Sequence, residues 1–138
     1  MNIIVDLERM GDQAKGVAKA ILRLAAMPAE ASPPEIQQMG EQVLQMLSQA
    51  MIAFAHGNTD LALIVARQDD AVDALYARAF NRIMAQIAAA GSPERAEAAY
   101  ELLRVARELE RVGDLVTNVG ERIIYMETGT LEEINVDG

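Results

Sequence analysis

The sequence predicts an all-α protein, an antiparallel bundle of four long helices. Three observations lead there. Apolar residues make up 51% of the chain and aromatic ones only 4%; Ala, Leu, Ile, Val and Met dominate, a composition that favours helix over sheet. Apolar positions recur at spacings of three and four along four segments, each bounded by Pro, Gly, Ser or Asn. A heptapeptide also occurs twice, as Asp6-Leu7-Glu8-Arg9-Met10-Gly11-Asp12 and as Glu108-Leu109-Glu110-Arg111-Val112-Gly113-Asp114. At the same offset Val17 aligns with Val119 and Ile21 with Ile123. A fixed-offset repeat in helical sequence marks duplicated helical units.

The first helix is expected from about Asn2 to Met27, with Ile3, Leu7, Met10, Ala14, Val17, Ile21 and Leu24 as its apolar stripe. Pro28 ends it, and residues 28–33 form a linker in which Ser32 is the expected cap for the next helix. The second helix runs from Pro34 to about Ala55, burying Ile36, Met39, Val43, Met46, Leu47, Ala50 and Phe54, and breaks at Gly57-Asn58. A third, capped by Asn58 or Thr59, continues to about Ala90 with Leu61, Val65, Val72, Leu75, Ala79, Ile83 and Ile87 inward. Gly91 stops it. Ser92 then caps a fourth helix that starts at Pro93 and reaches about Glu127. Its stripe is Leu102, Val105, Leu109, Val112, Val116, Val119, Ile123 and Met126, and Gly129 closes it. Residues 130–138 read as a flexible acidic tail.

Short connections make neighbouring helices antiparallel, so residues 34–129 read as a self-contained three-helix unit. The first helix must bury its own apolar face, either on the other three or against a second chain. On that argument a homodimer is expected.

Charge and composition narrow the function classes. A net charge of −9 without a basic stripe argues against nucleic acid and points to cations or a basic protein surface. With no cysteine, the chain forms no disulfide, zinc-thiolate site or thiol nucleophile. No apolar stretch approaches the length of a membrane span, so no direct membrane insertion is expected, and the first residues do not resemble a secretory signal. His56 is the only histidine, which rules out a pair of Glu-x-x-His motifs. No phosphate-binding glycine loop or nucleophile elbow is present.

The acidic residues carry the chemistry. Glu8 and Asp12 lie one helical turn apart on a flank of the first helix, as Glu110 and Asp114 do on the last. The third helix carries a matching pair, Asp69 and Asp73. Antiparallel packing of the third and fourth helices would set Asp69 and Asp73 opposite Glu110 and Asp114. Four carboxylates at close range repel unless protonated or neutralised, and oxygen-only donors suit hard cations. The bland alternative is a solvated face, with Arg107 and Arg111 in surface pairs.

With these motifs the chain resembles the PhoU family of phosphate-signalling proteins. The resemblance rests on both acidic copies, on Thr117-Asn118-Val119-Gly120-Glu121-Arg122-Ile123-Ile124-Tyr125, and on Asp69-Asp70-Ala71-Val72-Asp73. Gly16 departs from it, standing where the second copy has Asn118. The resemblance implies two tandem three-helix repeats, of which residues 1–27 match the last helix of the first and residues 34–129 the whole second. It implies a non-enzymatic, cytoplasmic, negative regulator of phosphate uptake and phosphate-starvation signalling. Its partners would be the phosphate transporter's ATPase subunit and a sensor histidine kinase. It implies a cluster of iron, zinc or another divalent metal on Asp69, Asp73, Glu110 and Asp114, and on Glu8 and Asp12 if a second chain completes that site. The alternatives are a metal-dependent phosphohydrolase on the same carboxylates and an accessory protein of a low-affinity phosphate carrier.

Overall fold

The structure, a computed structural model, describes residues 3–26 and 32–129. Most of the expected linker, the tail 130–138 and the side chains of Ile3, Ile21 and Leu24 lie outside the described residues. The helices are α1 (Ile3–Ala25), α2 (Pro34–His56), α3 (Thr59–Ala66), α4 (Asp69–Ala89) and α5 (Pro93–Thr128). The expected four-helix bundle is present, with its third member broken in two.

Helix boundaries follow the capping residues. The Asn58 side chain accepts a hydrogen bond from Leu61 N at 3.1 Å, and Ser92 Oγ one from Arg95 N at 3.3 Å. Gly57 and Gly129 close α2 and α5 in the left-handed conformation that L side chains avoid. Ser32 does not cap α2. The cap position is Pro33, which makes no side-chain hydrogen bond.

The break between α3 and α4 falls at Arg67–Gln68, where no Gly or Pro announces it. The Gln68 amide is held on both sides by α2: it accepts from Gln42 Nε2 at 2.9 Å and donates to Gln49 Oε1 at 3.1 Å. Past that anchor each half leans on a different part of α5. α3 crosses at Gly120, where a Cβ would lie 2.9 Å from the Ala62 carbonyl oxygen. α4 crosses at Gly113, where a Cβ would lie 3.3 Å from Val72 Cγ1.

α5 is the shared element: α1, α2, α3 and α4 all pack on it. One side of it meets α2–α4 around the fully buried Met39, Met46, Val65, Val72, Ile83, Val116 and Ile123. The other side meets α1, which runs antiparallel to it. Asp6 accepts from Arg122 Nε at 2.7 Å at one end, and Arg23 donates to Glu101 Oε1 at 3.3 Å near the other. Glu101 Oε1 also accepts from Arg104 at 3.1 Å.

The buried stripe of α1 differs from the one its apolar residues predict. Asp6, Met10 and Ala20 are buried and Ala14 is exposed. The buried Asp6–Arg122 pair turns the helix so that a carboxylate, not only leucines and valines, faces α5. Phe54 and Met126 are likewise exposed, with the smaller Ala53 taking Phe54's expected place in the core.

Close helix contact at Gly120 has a measurable consequence. Gly120→Ala should lower stability in urea melts by about 1–3 kcal/mol through overpacking against the α3 backbone. Gly40→Ala, where a Cβ meets nothing within 4 Å, should instead raise it by about 0.5–1 kcal/mol.

Candidate metal centre

The α4–α5 seam assembles the acidic residues. The two helices run antiparallel, with Val72 seated against Gly113. That register sets Asp69 beside Asp114 and Asp73 beside Glu110, each pair within hydrogen-bonding reach. Carboxylate oxygens of Asp69, Asp73 and Asp114 all lie within 4.8 Å of one another. The expected juxtaposition of the second acidic copy with Asp69 and Asp73 is therefore present.

Electrostatics in the seam run against ionisation. Partial burial raises the Asp69 carboxyl to about 6 from its ordinary 3.8, reinforced by the hydrogen bond and negative charge of Asp114. Asp73 is raised by partial burial and by the charge of Asp69, against the opposing hydrogen bond from Glu110. Glu110 is raised by partial burial and by Asp73. Local cations do not relieve this. Arg111 pairs with Glu108 at 3.3 Å, and Arg107 hydrogen-bonds Tyr76. Among the described residues no Lys or Arg forms an ion pair with any of the four carboxylates.

A hard divalent cation fits this donor set. Asp69 Oδ1 is buried without a hydrogen-bond partner, as one oxygen each of Glu35 and Glu101 is, but those two carboxylates have an arginine on the other oxygen and Asp69 has none. Asp69, Asp73 and Asp114, with Glu110 adjoining, would hold the ion. The ion would supply the positive charge that the helices do not.

The first acidic copy sits differently. Asp12 is exposed, as Asp73 and Asp114 are, but Glu8 is exposed where its equivalent Glu110 is half-buried, and the close carboxylate group among the described residues does not include Glu8 or Asp12. Asp12 instead lines an open cavity of about 330 Å³ along the α1–α5 seam, with Arg9, Gln13, Arg111, Asp114 and Leu115. The members are repeat equivalents: Arg9 with Arg111, Asp12 with Asp114, Gln13 with Leu115. Asp12 and Asp114 thus line one cavity together with Arg9 and Arg111.

Sequence reasoning missed the ion pairs that clamp α1. Asp6 belongs to the repeated heptapeptide, yet its carboxylate is buried against Arg122. The available signal was its position on the same helical stripe as Met10 and Val17.

The raised acid groups reverse the usual pH trend. A carboxyl whose folded value lies above its unfolded one destabilises the fold when ionised, so its penalty is absent below about 4 and grows until about 6. In chelator, Asp69→Asn should melt with the parent at pH 4 and above it at pH 7. A parent that is the more stable at pH 7 would contradict the assigned repulsion.

The comparisons bear on the family and the fold. Residues 36–123 match the PhoU domain model. A phosphate-specific transport system accessory protein PhoU homolog of Clostridium acetobutylicum is 38% identical over 135 residues, covering 98% of this chain and 61% of that protein. The equivalent protein of Streptococcus pneumoniae serotype 4 is 32% identical, with 98% and 62% covered. The crystal structure of PhoU from Pseudomonas aeruginosa superposes with a TM-score of 0.84 at 33% identity, covering 93% of this chain and 61% of that one. The chain spans about six-tenths of the length of these relatives. By the family model and by this likeness to solved structures, the chain belongs to the PhoU family.

Proposed function

We propose that the chain is a non-enzymatic, cytoplasmic regulator of phosphate uptake that acts through protein contacts and carries a divalent metal at the α4–α5 carboxylates. The observation that carries this reading is the coincidence of two things in one segment. The segment that matches phosphate-transport accessory proteins also contains Asp69, Asp73 and Asp114 close together, with Glu110 beside Asp73, and none of them in an ion pair among the described residues. In this reading the metal neutralises Asp69, Asp73, Glu110 and Asp114 and stiffens the seam, so that the outer helix faces are presented in fixed relation. The docking partners are the phosphate transporter's ATPase subunit and a sensor histidine kinase, and the output is damped starvation signalling. Among the described residues no helix is long and apolar enough to cross a membrane, which suits a protein that docks on the transporter's ATPase subunit.

The test is affinity capture of the tagged chain from phosphate-replete cells. Recovery of the ATPase subunit or the kinase, lost in the Asp69→Asn/Asp73→Asn variant, is the expected result. Recovery of a low-affinity phosphate carrier alone would reassign the transporter.

The carboxylate cluster also motivates a second reading, metal-dependent phosphomonoester hydrolysis, since paired metals on carboxylates support such chemistry. Turnover of a generic phosphomonoester with Mn²⁺ should be unchanged by Glu110→Ala/Asp114→Ala. A loss of 100-fold or more, roughly the scale of removing a catalytic group, would favour the enzyme.

A further inference from the structure

The repeated motif Glu-Arg-x-Gly-Asp has one member that neither the core nor the metal centre uses, its arginine. In the second copy Glu110 and Asp114 stand at the carboxylate cluster, and Gly113 lets Val72 settle on α5. The arginines, Arg9 and Arg111, are exposed and lie off the apolar stripes. The antiparallel pairing of α1 and α5 nevertheless brings both, from opposite ends of the sequence, to one cavity of about 330 Å³. That cavity has a wall on each helix, so it belongs to a packed seam and not to an uncovered helix face. Among the described residues Arg9 forms no ion pair, although Asp12 lies one turn along its own helix. Arg111 gives Nη1 to Glu108 at 3.3 Å and keeps its other N–H donors. Two guanidinium groups that line the same small space form a recognition set for an oxyanion.

We propose that this cavity binds a small tetrahedral oxyanion that carries a proton, inorganic phosphate being the ordinary case, with Arg9 and Arg111 as its donors. Asp114 links the cavity to the metal centre, because it belongs both to the close carboxylate group and to the cavity wall. Without a cation the two arginines are balanced by Asp12 and Asp114, so a further anion finds no net attraction. A divalent cation held by Asp69, Asp73 and Asp114 offsets the Asp114 charge and leaves the cavity net positive. Asp12 then selects the oxyanion. An ionised carboxylate only accepts hydrogen bonds, so it repels an oxyanion without a proton and accepts from one that has it. At about pH 8 inorganic phosphate keeps a proton, whereas sulfate has none and a phosphomonoester has lost its second. The site thus favours free phosphate over both. This inference rests on the metal reading of the α4–α5 carboxylates.

The experiment is calorimetric titration, at about pH 8, of the full chain loaded with Mn²⁺ and freed of excess metal. Manganese content and helical circular dichroism are measured on every sample. The probes are inorganic phosphate, sulfate and O-phosphoserine. Phosphate is expected to bind the parent, the other two about tenfold more weakly or less well still, and chelator to abolish binding. Arg9→Gln and Arg111→Gln should each weaken phosphate by about tenfold or more, or about 1.4 kcal/mol, with manganese content unchanged. Asp12→Asn should narrow the preference for phosphate over sulfate, a change that a merely structural Asp12 would not produce. Phosphate that fails to bind the manganese-loaded parent, or that binds Arg9→Gln as tightly as the parent, would overturn the inference and leave the metal reading standing. O-phosphoserine bound more tightly than phosphate would overturn the choice of a protonated ion and assign the arginines to a phosphoryl group on a larger molecule. A parent that retains no manganese would overturn the inference and the metal reading together.

Discussion

The seating of Val72 on Gly113 fixes how α4 lies along α5, and the chemistry of the molecule follows from that register. With no Cβ on Gly113, the α4 side chain settles against the α5 backbone. Asp69 and Asp73 flank Val72 in sequence, so they arrive opposite Asp114 and Glu110 as a consequence of apolar packing. A slip of one helical turn, about 5.4 Å, would set Val72 against Leu109 or Thr117 in place of Gly113 and separate the carboxylates. Gly120 plays the matching part for α3, and it does so against backbone atoms, which cannot move aside as a side chain can. The apolar core thus holds like charges together that would otherwise move apart.

Holding four carboxylates in one seam costs free energy, visible in the raised Asp69, Asp73 and Glu110. Elsewhere the chain matches its buried acids with arginines. Asp6 has Arg122, Glu35 has Arg82 at 3.0 Å, and Glu101 has both Arg23 and Arg104. In the α4–α5 seam, where Asp69 is half-buried and Asp73 and Asp114 are exposed, no arginine forms an ion pair with the carboxylates among the described residues, and Arg111 pairs with Glu108. A site built this way suits a neutralising group from outside the chain. Along the α1–α5 seam, Asp12 and Asp114 line one cavity with Arg9 and Arg111, so acids and bases are mixed there.

Much of this was legible in the residues. Asn58, Ser92, Gly57 and Gly129 marked helix ends because each carries a specific backbone chemistry. The opposition of Asp69 and Asp73 to Glu110 and Asp114 followed from antiparallel packing and a spacing of four. The break at Arg67–Gln68 was not legible, since it depends on Gln42 and Gln49 reaching Gln68 from another helix. The buried face of α1 was misread because Asp6, although on the stripe of Met10 and Val17, is a carboxylate whose partner Arg122 lies near the other end of the chain. Phe54 and Met126 fell on apolar stripes that extend beyond the part α5 and its neighbours cover.

The central claim is that packing assembles a cation site on α4 and α5. Elemental analysis of protein purified without chelator, beside Glu110→Ala/Asp114→Ala, tests it most directly. The account predicts stoichiometric iron, zinc, manganese or another divalent metal in the parent and none in the variant. Metal absent from both, even after anaerobic reconstitution, would contradict it and leave the acidic seam as hydrated surface.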